Sequence, residues 1–187
     1  VAIFTKQKPN NVIEGLGQEE FDAEGRYIEC EFDDFSLASA YFPSGSSGDQ
    51  RQELKYRFLD TFKDKIKAQN LNNKGYLFCG DINIVHQEID ITNWKANQKN
   101  SGCLPQERAW LDMVFNELNC VDVFRQINQE KQQYTWWSNR GNAWANNVGW
   151  RIDYQICNSN FKRQVLKTSI YKDERFSDHA PLILTYD

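Results

Sequence analysis

The chain has 187 residues, 40% hydrophobic and 26% charged, a composition that excludes a disordered or fibrous protein and allows one domain with a buried core. No apolar run approaches the roughly 18 residues that cross a bilayer, and no signal-peptide pattern is present, so we expect no membrane partner. The net charge of −4 argues against a simple nucleic-acid binder, but nine acids and three bases fall in residues 1–34, which leaves nineteen bases and seventeen acids elsewhere.

The cysteine pattern bears on the cellular compartment. Five cysteines are spread along the chain, and no two of them form a CxxC pair. An odd count, mostly inside apolar runs, argues against a disulfide framework or a zinc site and favours buried thiols in a reducing compartment. We therefore expect a cytoplasmic protein.

The first third of the chain alternates between strand and helix patterns. The opening run VAIF is strand-like, and the alternation in residues 27–32 predicts a half-buried strand that forms a hairpin with the run SLASAYF. A turn-rich loop, PSGSSGDQ, comes next. Residues 50–69 then carry a helical stripe, with lysine and aspartate on the opposite face. The stripe consists of Leu54, Phe58, Leu59, Phe62 and Ile66.

The remaining two thirds of the chain predict one more helix among short strands. GYLFCGDIN, at residues 75–83, is typical of a buried strand with a polar end, and a long polar loop follows at residues 87–104. Pro105 suits the first turn of a helix whose apolar face includes Trp110. YTWW, RIDYQIC and PLILTY are strand-like. Two helices among seven or eight strands predict a layered α/β or α+β sandwich.

Polar side chains stand at the ends of three predicted strands. Asp81 and Asn83 are two residues apart, so in an extended segment they point the same way. Asp153 lies opposite the apolar face of its strand, and Asp178 and His179 precede the last strand. If the three ends converge, they form a site with three carboxylates, one carboxamide and one imidazole.

Such a group of side chains suits the hydrolysis of a phosphodiester. Carboxylate oxygens are preferred ligands of a hard cation such as Mg²⁺. A histidine beside a buried aspartate is held in one tautomer and is more easily protonated. A metal ion and an imidazolium would then neutralise charge on the phosphate, while a carboxylate positions or deprotonates water.

Each motif also has a purely structural interpretation. GDxN is common in turns, SDH before a strand can cap a loop, and Asp153 can form a surface ion pair with Arg151 that contributes little. Taken one at a time, the structural interpretation is favoured for each motif. Their occurrence together, in this order, favours a functional site.

Longer motifs around these residues extend over nearly the whole chain. They are AYFPSGS, LFCGDIN, LPQERAWLD, YTWWS, NVGWRIDY and FSDHAP. In these motifs and their order the chain resembles the exonuclease III and AP endonuclease family of DNA-repair nucleases, within the endonuclease/exonuclease/phosphatase superfamily. GDxN and SDH are shared across the superfamily, whereas PQER and NVGWRID point to the DNA-repair branch. The resemblance implies an α/β fold with a two-sheet β-sandwich flanked by helices, in a four-layer, DNase I-like arrangement.

The resemblance also implies an activity. Family members cleave DNA on the 5′ side of abasic sites with Mg²⁺ (or Mn²⁺), and some act as 3′→5′ exonucleases or 3′ phosphatases. The implied partner is double-stranded DNA with abasic sites or 3′ ends, and the implied full-length protein is a monomer. The implied catalytic residues are Tyr41, Asp81, Asn83, Asp153 and His179. The implied metal ligands are Asp81, Asn83 and Asp178. The residues implied to contact DNA are Ser44, Asn97, Asn100, Trp136 and Trp150.

The family pattern gives each catalytic residue a role. Asp81 would activate or orient the attacking water, and Asn83 would help position that group and the phosphate. Tyr41 would contact the scissile phosphate. His179, oriented by Asp153, would bond the phosphate and stabilise the charge of the transition state.

Other residues would serve the DNA or the fold. Trp136 and Trp150 are candidate walls of a pocket that accepts an abasic sugar, which is cheaper to extrude than a paired base. Lys99 and Arg140 lie in polar loops where they can meet backbone phosphates or stay solvated. For His86 we expect a structural hydrogen bond.

The chain departs from the family pattern in two places. Ser44 stands where many members carry an asparagine or glutamine that can contact phosphate. The family's opening WN-x-NG and QE-x-K segments, the second of which carries a metal-ligating glutamate, are absent, so the chain corresponds to a partial, N-terminally truncated nuclease domain over residues 1–187. We expect this chain by itself to be weak or inactive in cleavage and the full-length protein to be active.

Two other functions compete with this interpretation. A superfamily phosphodiesterase acting on phosphoinositides or sphingomyelin would share GDIN and SDH but would not need PQER or NVGWRID. A non-catalytic DNA-binding fragment with the same fold is the second alternative. Retention of all the acids together with His179 argues against it.

Overall fold

The computed structural model describes all of residues 1–187. Ten strands, five α-helices and one 3₁₀ turn follow one another along the chain. In order they are β1 (Asn11–Glu14), α1 (Glu19–Asp22), β2 (Tyr27–Glu31), β3 (Phe35–Ala40), α2 (Asp49–Leu71), β4 (Gly75–Asp81), the 3₁₀ turn (Glu88–Asp90), α3 (Trp94–Asn97), α4 (Pro105–Asn116), β5 (Cys120–Asp122), α5 (Val123–Ile127), β6 (Trp136–Trp137), β7 (Gly149–Trp150), β8 (Asp153–Asn158), β9 (Val165–Ile170) and β10 (Leu182–Tyr186).

The main sheet has six strands in the order β1-β2-β3-β4-β8-β5. All its neighbours are antiparallel except β3 and β4, which are parallel because α2 crosses between them. Two smaller antiparallel pairs, β9 with β10 and β6 with β7, complete the sheets. In the β4–β8 register Asp81 faces Asp153, so the last residue of β4 and the first residue of β8 lie side by side where these two strands end.

Apolar packing on both faces of the main sheet produces the layers. On one face, the helices α2 and α4 bury an aromatic core in which Phe42 packs against Phe58, Phe62 and Trp110. On the other face, the buried residues Leu77, Val123 and Cys157 pack against side chains of β9 and β10. The predicted fold class is thereby confirmed: the chain is a mixed α/β protein in which helices flank packed sheets. No helix is both long enough and apolar enough to span a bilayer.

The helices and the hairpin agree with the sequence patterns, with differences at the ends of elements. The β2–β3 hairpin is present, and the two predicted helices occupy Asp49–Leu71 and Pro105–Asn116. The strand expected for VAIF is wrong, because residues 1–4 form no strand and the first strand is Asn11–Glu14. The polar loop at residues 87–104 contains a 3₁₀ turn and a one-turn helix, elements too short to show a period.

The polar face assigned to α2 needs one correction. Lys55 is fully buried, although lysine was expected on the solvent side. Its position, three and four residues before Phe58 and Leu59, places it on the same stripe as the apolar residues. The stripe of α2 is therefore interrupted by one buried charge.

A buried network of charges fixes the start of β8. Arg151 is fully buried; its Nε donates to Asp90 Oδ1 at 2.7 Å and its Nη2 to Asp122 Oδ2 at 2.7 Å. Arg125 binds the same Asp90 oxygen at 2.6 Å through Nη2. Burial by itself raises the pKa of Asp90, but the two guanidinium groups hold it below its ordinary value. The surface pair between Arg151 and Asp153 considered above is thus wrong.

We expect Asp90→Asn to destabilise the protein by about 3–5 kcal/mol, because it removes the carboxylate shared by two guanidinium groups and leaves the buried Arg151 with Asp122 as its one remaining acid. Urea unfolding followed by circular dichroism measures the loss. The matched control is Glu20→Gln, which breaks the exposed pair with Arg57 and should leave the unfolding midpoint almost unchanged. Equal small effects of the two substitutions would contradict a structural role for the network.

Candidate active site

The three predicted strand ends meet at one open cavity of about 850 Å³. The cavity lies where β4 ends, and loops that follow β3, α3, β6 and β9 close its sides. Every predicted site residue lines it except Asn97 and Asp153. The predicted residues in its lining are Tyr41, Ser44, Asp81, Asn83, Asn100, Trp136, Trp150, Asp178 and His179.

Gly80 lets the chain approach itself closely at the end of β4. Its φ is +137°, and a Cβ atom there would lie 2.0 Å from the carbonyl oxygen of Ala40, so only glycine fits. The close approach lets Phe42 N donate to Asp81 O at 2.9 Å. Tyr41, which is 45% exposed, is thereby held beside the acid at the mouth of the cavity.

Asp81 and Asn83 form a fixed pair, although the strand ends at Asp81 and Asn83 has a φ of +55° rather than the extended conformation assumed from the spacing. Asn83 donates its backbone N–H to Asp81 Oδ1 and its Nδ2 to Asp81 Oδ2, both at 2.8 Å. The same Nδ2 also donates to the carbonyl of Phe42 at 3.0 Å. Because both amide protons are used within the chain, the Oδ1 atom of Asn83 is left as an acceptor that can face a substrate or a cation.

His179 is held by an acid at the start of β8. Its Nδ1 lies 2.9 Å from Asp153 Oδ2, and no group of the chain bonds Nε2. Asp153 is itself fixed, since its backbone N–H donates to the hydroxyl of buried Thr135 at 3.1 Å. The ring orientation is therefore set, and Nε2 is available to a ligand in the cavity.

The pKa values of Asp81 and His179 differ from those of the free side chains. Burial, with the neighbouring charge of Asp153, raises the pKa of Asp81 to about 7. Burial by itself lowers the pKa of His179, but the hydrogen bond and charge of Asp153, with the charges of Asp81 and Asp178, raise it to about 9. At neutral pH the site thus holds a carboxylate able to accept a proton beside an imidazolium.

Two tryptophans form an apolar wall beside these polar groups. Trp136 and Trp150 are paired across β6 and β7, with ring centroids 5.9 Å apart and planes at 81°. Trp136 Nε1 donates to Asp178 Oδ2 at 3.1 Å, which ties the carboxylate to the wall. Gly102 lies under Trp150, because a Cβ on Gly102 would be 3.0 Å from Cζ3 of the indole. Gly102 and Ile152 both line the cavity and were not singled out by the sequence.

The structure places the other candidates as follows. Asn97 lies outside the cavity lining, where its Nδ2 donates to the carbonyls of Thr92 and Asn93 at 3.1 Å, so a DNA contact by Asn97 stays a prediction. Lys99 and Arg140 do line the cavity. The structural hydrogen bond expected for His86 is confirmed at 2.8 Å from Asp112 Oδ1.

The donors in the cavity fit a hard cation only in an open arrangement. Asp81, Asn83 and Asp178 offer oxygen ligands to the same cavity. No three histidine, cysteine, aspartate or glutamate side chains lie close enough together to form a metal cage. Mg²⁺ is often bound by one or two carboxylates together with water and substrate oxygens, and this donor set matches that mode.

Comparison with known proteins gives consistent matches in sequence. Residues 1–179 match the model of the endonuclease/exonuclease/phosphatase family. The chain is 39% identical to an exodeoxyribonuclease of Bacillus subtilis, over 98% of this chain and 72% of that protein. It is 37% identical to the DNA repair nuclease APEX1 of Danio rerio, over 98% of this chain but only 59% of that protein.

Solved structures show the same fold at lower identity. A 3′ phosphatase from Neisseria bound to a product DNA hairpin superposes with a TM-score of 0.86 at 22% identity, over 96% of this chain and 71% of that one. An AP endonuclease from Archaeoglobus fulgidus superposes with a TM-score of 0.82 at 23% identity, again over 96% and 71% of the two chains.

We expect Asp153→Asn to lower the pKa of His179 from about 9 towards its ordinary value of 6.5, because the main charge partner of the imidazole is lost. An NMR titration of the imidazole nitrogens measures this, and the chain has only two histidines to assign. Asp112→Asn removes the acid beside the other histidine and is the control. An unchanged pKa of His179 in Asp153→Asn would show that Asp153 does not hold the ring.

Proposed function

The chain belongs to the endonuclease/exonuclease/phosphatase family, and from that premise we propose that it is a hydrolase of the exonuclease III type that cleaves DNA at abasic sites. The observation that carries the proposal is the cavity in which a half-buried acid, an acid-paired imidazolium and an indole wall lie together. We also propose exonuclease and 3′ phosphatase activity as reactions of the same site, because similar proteins include an exodeoxyribonuclease and a 3′ phosphatase.

The side chains divide the hydrolysis of a phosphodiester between them. Asp81 takes a proton from the attacking water as the water oxygen bonds to phosphorus. The P–O3′ bond breaks, and the departing 3′ oxygen takes up a proton from solvent water in the open cavity. His179 donates its Nε2 proton as a hydrogen bond to a phosphate oxygen, where charge develops in the transition state. Asn83 holds Asp81 in place, and the hydroxyl of Tyr41 contacts the same phosphate from the cavity mouth.

A divalent cation belongs to this proposal. Members of the family are divalent-metal-dependent nucleases, and Asp178, Asp81 and the free oxygen of Asn83 are the groups that would hold Mg²⁺ (or Mn²⁺). When bound, the ion neutralises phosphate charge.

The indole wall supplies a preference for damaged DNA. A sugar without a base is small and costs little to extrude, so it fits an apolar pocket that an intact nucleotide overfills. Trp136, Trp150 and Ile152 line the side of the cavity where such a sugar would lie. This half of the site selects the substrate, whereas the polar half cleaves it.

The rim of the cavity meets the DNA backbone. Lys99 and Arg140 carry positive charge there, and Ser44 and Asn100 offer neutral hydrogen-bond donors. Asn97 acts through Asn100, whose Nδ2 donates to Asn97 Oδ1 at 2.9 Å. Such contacts position the duplex without reading its sequence.

Residues 1–187 act as one nuclease domain in this proposal. The main sheet combines strands from β1 through β8, and the site takes residues from Tyr41 to His179. The groups named in this subsection all lie within residues 1–187, and we propose that the full-length protein acts as a monomer.

We expect the full-length protein to nick a duplex with one abasic site in Mg²⁺ and to leave the intact duplex uncut. Asp81→Asn should reduce the rate by roughly two to four orders of magnitude, since a carboxamide cannot accept the proton. The measurement is gel analysis of a labelled strand, and Asp112→Asn is the control acid outside the cavity. Nicking at the wild-type rate by Asp81→Asn would exclude the role assigned to Asp81; binding without cleavage by the wild type would favour a DNA-binding module.

We expect Lys99→Ala and Arg140→Ala each to weaken binding to any duplex sequence and to reduce the slope of log K against log salt concentration by about 1, because each removes one phosphate contact. Fluorescence anisotropy in EDTA between low and moderate salt gives the slopes. Lys167→Ala, an exposed lysine on β9 away from the cavity, should leave the slope unchanged. If all three variants kept the wild-type slope, the DNA backbone would not contact Lys99 or Arg140.

A further inference from the structure

A buried ion pair lies directly beneath the cavity. Lys55 of α2 and Glu107 of α4 are both 0% exposed, with Nζ and Oε1 2.6 Å apart. Two charges removed from water gain little net stability over an apolar pair of the same size. The pair therefore needs an explanation beyond core packing.

The surroundings of Glu107 require a carboxylate. Five donors surround its two oxygens, and three of them, the Lys55 ammonium and the backbone N–H groups of Gly102 and Leu104, cannot act as acceptors. Oε1 accepts from Gln52 Nε2 at 3.1 Å, Lys55 Nζ at 2.6 Å and Ser101 Oγ at 3.3 Å, and Oε2 accepts from the backbone N–H groups of Gly102 at 2.6 Å and Leu104 at 3.0 Å. A glutamine would turn an NH₂ group towards donors on either side.

The pair extends by hydrogen bonds to three loops of the cavity. Lys55 Nζ donates to the carbonyl of Asn83 at 2.8 Å. The hydroxyl of Ser101, which donates to Glu107, also accepts from Gly45 N at 3.1 Å and so links the pair to the loop that follows β3. The loops that carry Asn83 and Gly102 are also joined directly, since Val85 N donates to Gly102 O at 2.7 Å.

We propose that Lys55 and Glu107 are positioning residues that set the spacing between the phosphate side and the sugar side of the active site. This inference rests on the proposed function. Lys55 fixes the backbone of Asn83, which holds Asp81, and Glu107 fixes Gly102, on which the Trp150 ring rests. Neither residue touches the substrate.

The geometry leaves little tolerance at both ends of this connection. A Cβ atom on Gly102 would lie only 3.0 Å from the Trp150 ring, so there is no space between this loop and the indole for a larger residue, and a shift of the 100–104 loop should move the indole wall. A misplacement of about 1 Å can reduce the rate of an enzyme by about 100-fold even when it originates away from the reacting atoms. The polar and apolar halves of the cavity should therefore lose their alignment when the pair is broken.

The same helix offers a matched control pair. Lys65 of α2 lies 2.7 Å from Glu29 Oε2, and Glu29 is also fully buried. Glu29 accepts further hydrogen bonds from Tyr27 at 2.6 Å and Gln69 at 2.8 Å. This pair connects α2 to β2, and none of its residues lines the cavity. Breaking it should disturb the fold much as breaking the first pair does, without reaching the site.

The test compares Glu107→Gln and Lys55→Met with Glu29→Gln and Lys65→Met in the native protein. We expect the first two to lower kcat on an abasic duplex by roughly 10- to 100-fold while KM changes less than about threefold. Glu29→Gln and Lys65→Met should lower the melting temperature by a comparable amount but leave kcat within about twofold of the wild-type value. The double variant Lys55→Met/Glu107→Gln should be no slower than the slower single variant, since the two residues act together.

A second measurement does not depend on cleavage. In EDTA, the preference for a duplex with a tetrahydrofuran abasic analogue over the intact duplex should fall in the Glu107→Gln protein and persist in the Glu29→Gln protein. Ser101→Ala, a milder change, breaks the connection to Gly45 and gives the same comparison if the buried variants do not fold. It should lower kcat and the preference in the same direction.

The outcomes separate the two proposals. Unchanged kcat and unchanged preference in the Glu107, Lys55 and Ser101 variants, with the wild type active, would overturn the positioning role alone. A wild type that neither cleaves nor prefers the abasic duplex would overturn the proposed function, and the positioning role with it. A loss of kcat that is equal in the Glu29 variant would show general destabilisation and would also overturn the inference.

Discussion

The antiparallel pairing of β4 with β8 is the constraint on which the whole site depends. It places Asp81 opposite Asp153 in a partly buried position, where two carboxylates repel each other. Such a pair persists only if one acid takes up a proton readily or a cation lies beside them. Both conditions hold here, because the pKa of Asp81 is raised to about 7 and the His179 imidazolium bonds Asp153. The separation of the pKa values of Asp81 and His179 is what assigns one as proton acceptor and the other as hydrogen-bond donor.

Two buried ion networks surround this edge of the sheet, and each ends on backbone groups rather than on side chains alone. Arg151 and Asp90 join the start of β8 to the 3₁₀ turn, where Arg151 N also donates to Asp90 O at 2.8 Å. Glu107 holds the amides of Gly102 and Leu104. An apolar pair of similar size can supply equal stability. What the charged groups add is directed hydrogen bonds to the backbone, which fix the positions of the loops that they bind.

The sequence predicted the polar residues of the site where they lie within two positions of each other in the chain. The two-residue step between Asp81 and Asn83, and the adjacency of Asp178 to His179, predicted which side chains share the cavity. The β1, β5 and β9 strands were not predicted, because three or four residues, or a polar run such as VLKTSI, show no clear period. The Lys55–Glu107 pair was missed for a different reason. Its partners are 52 residues apart, and a lysine in a helix is expected at the surface unless its partner is known.

The number of acidic groups in the cavity is relevant to the proposed divalent cation. Asp81, Asp153 and Asp178 are three acids. The His179 ring bonds Asp153, and Lys55 lies near Asp81 but is already paired with Glu107, so acids outnumber cations whenever Asp81 is ionised. A DNA phosphate would be repelled from such a centre unless positive charge arrives with it. Lys99 and Arg140 line the same cavity and can attract the DNA backbone. In the proposed function, a divalent ion held by Asp178 and Asp81 would supply the remaining positive charge between these acids and the phosphate.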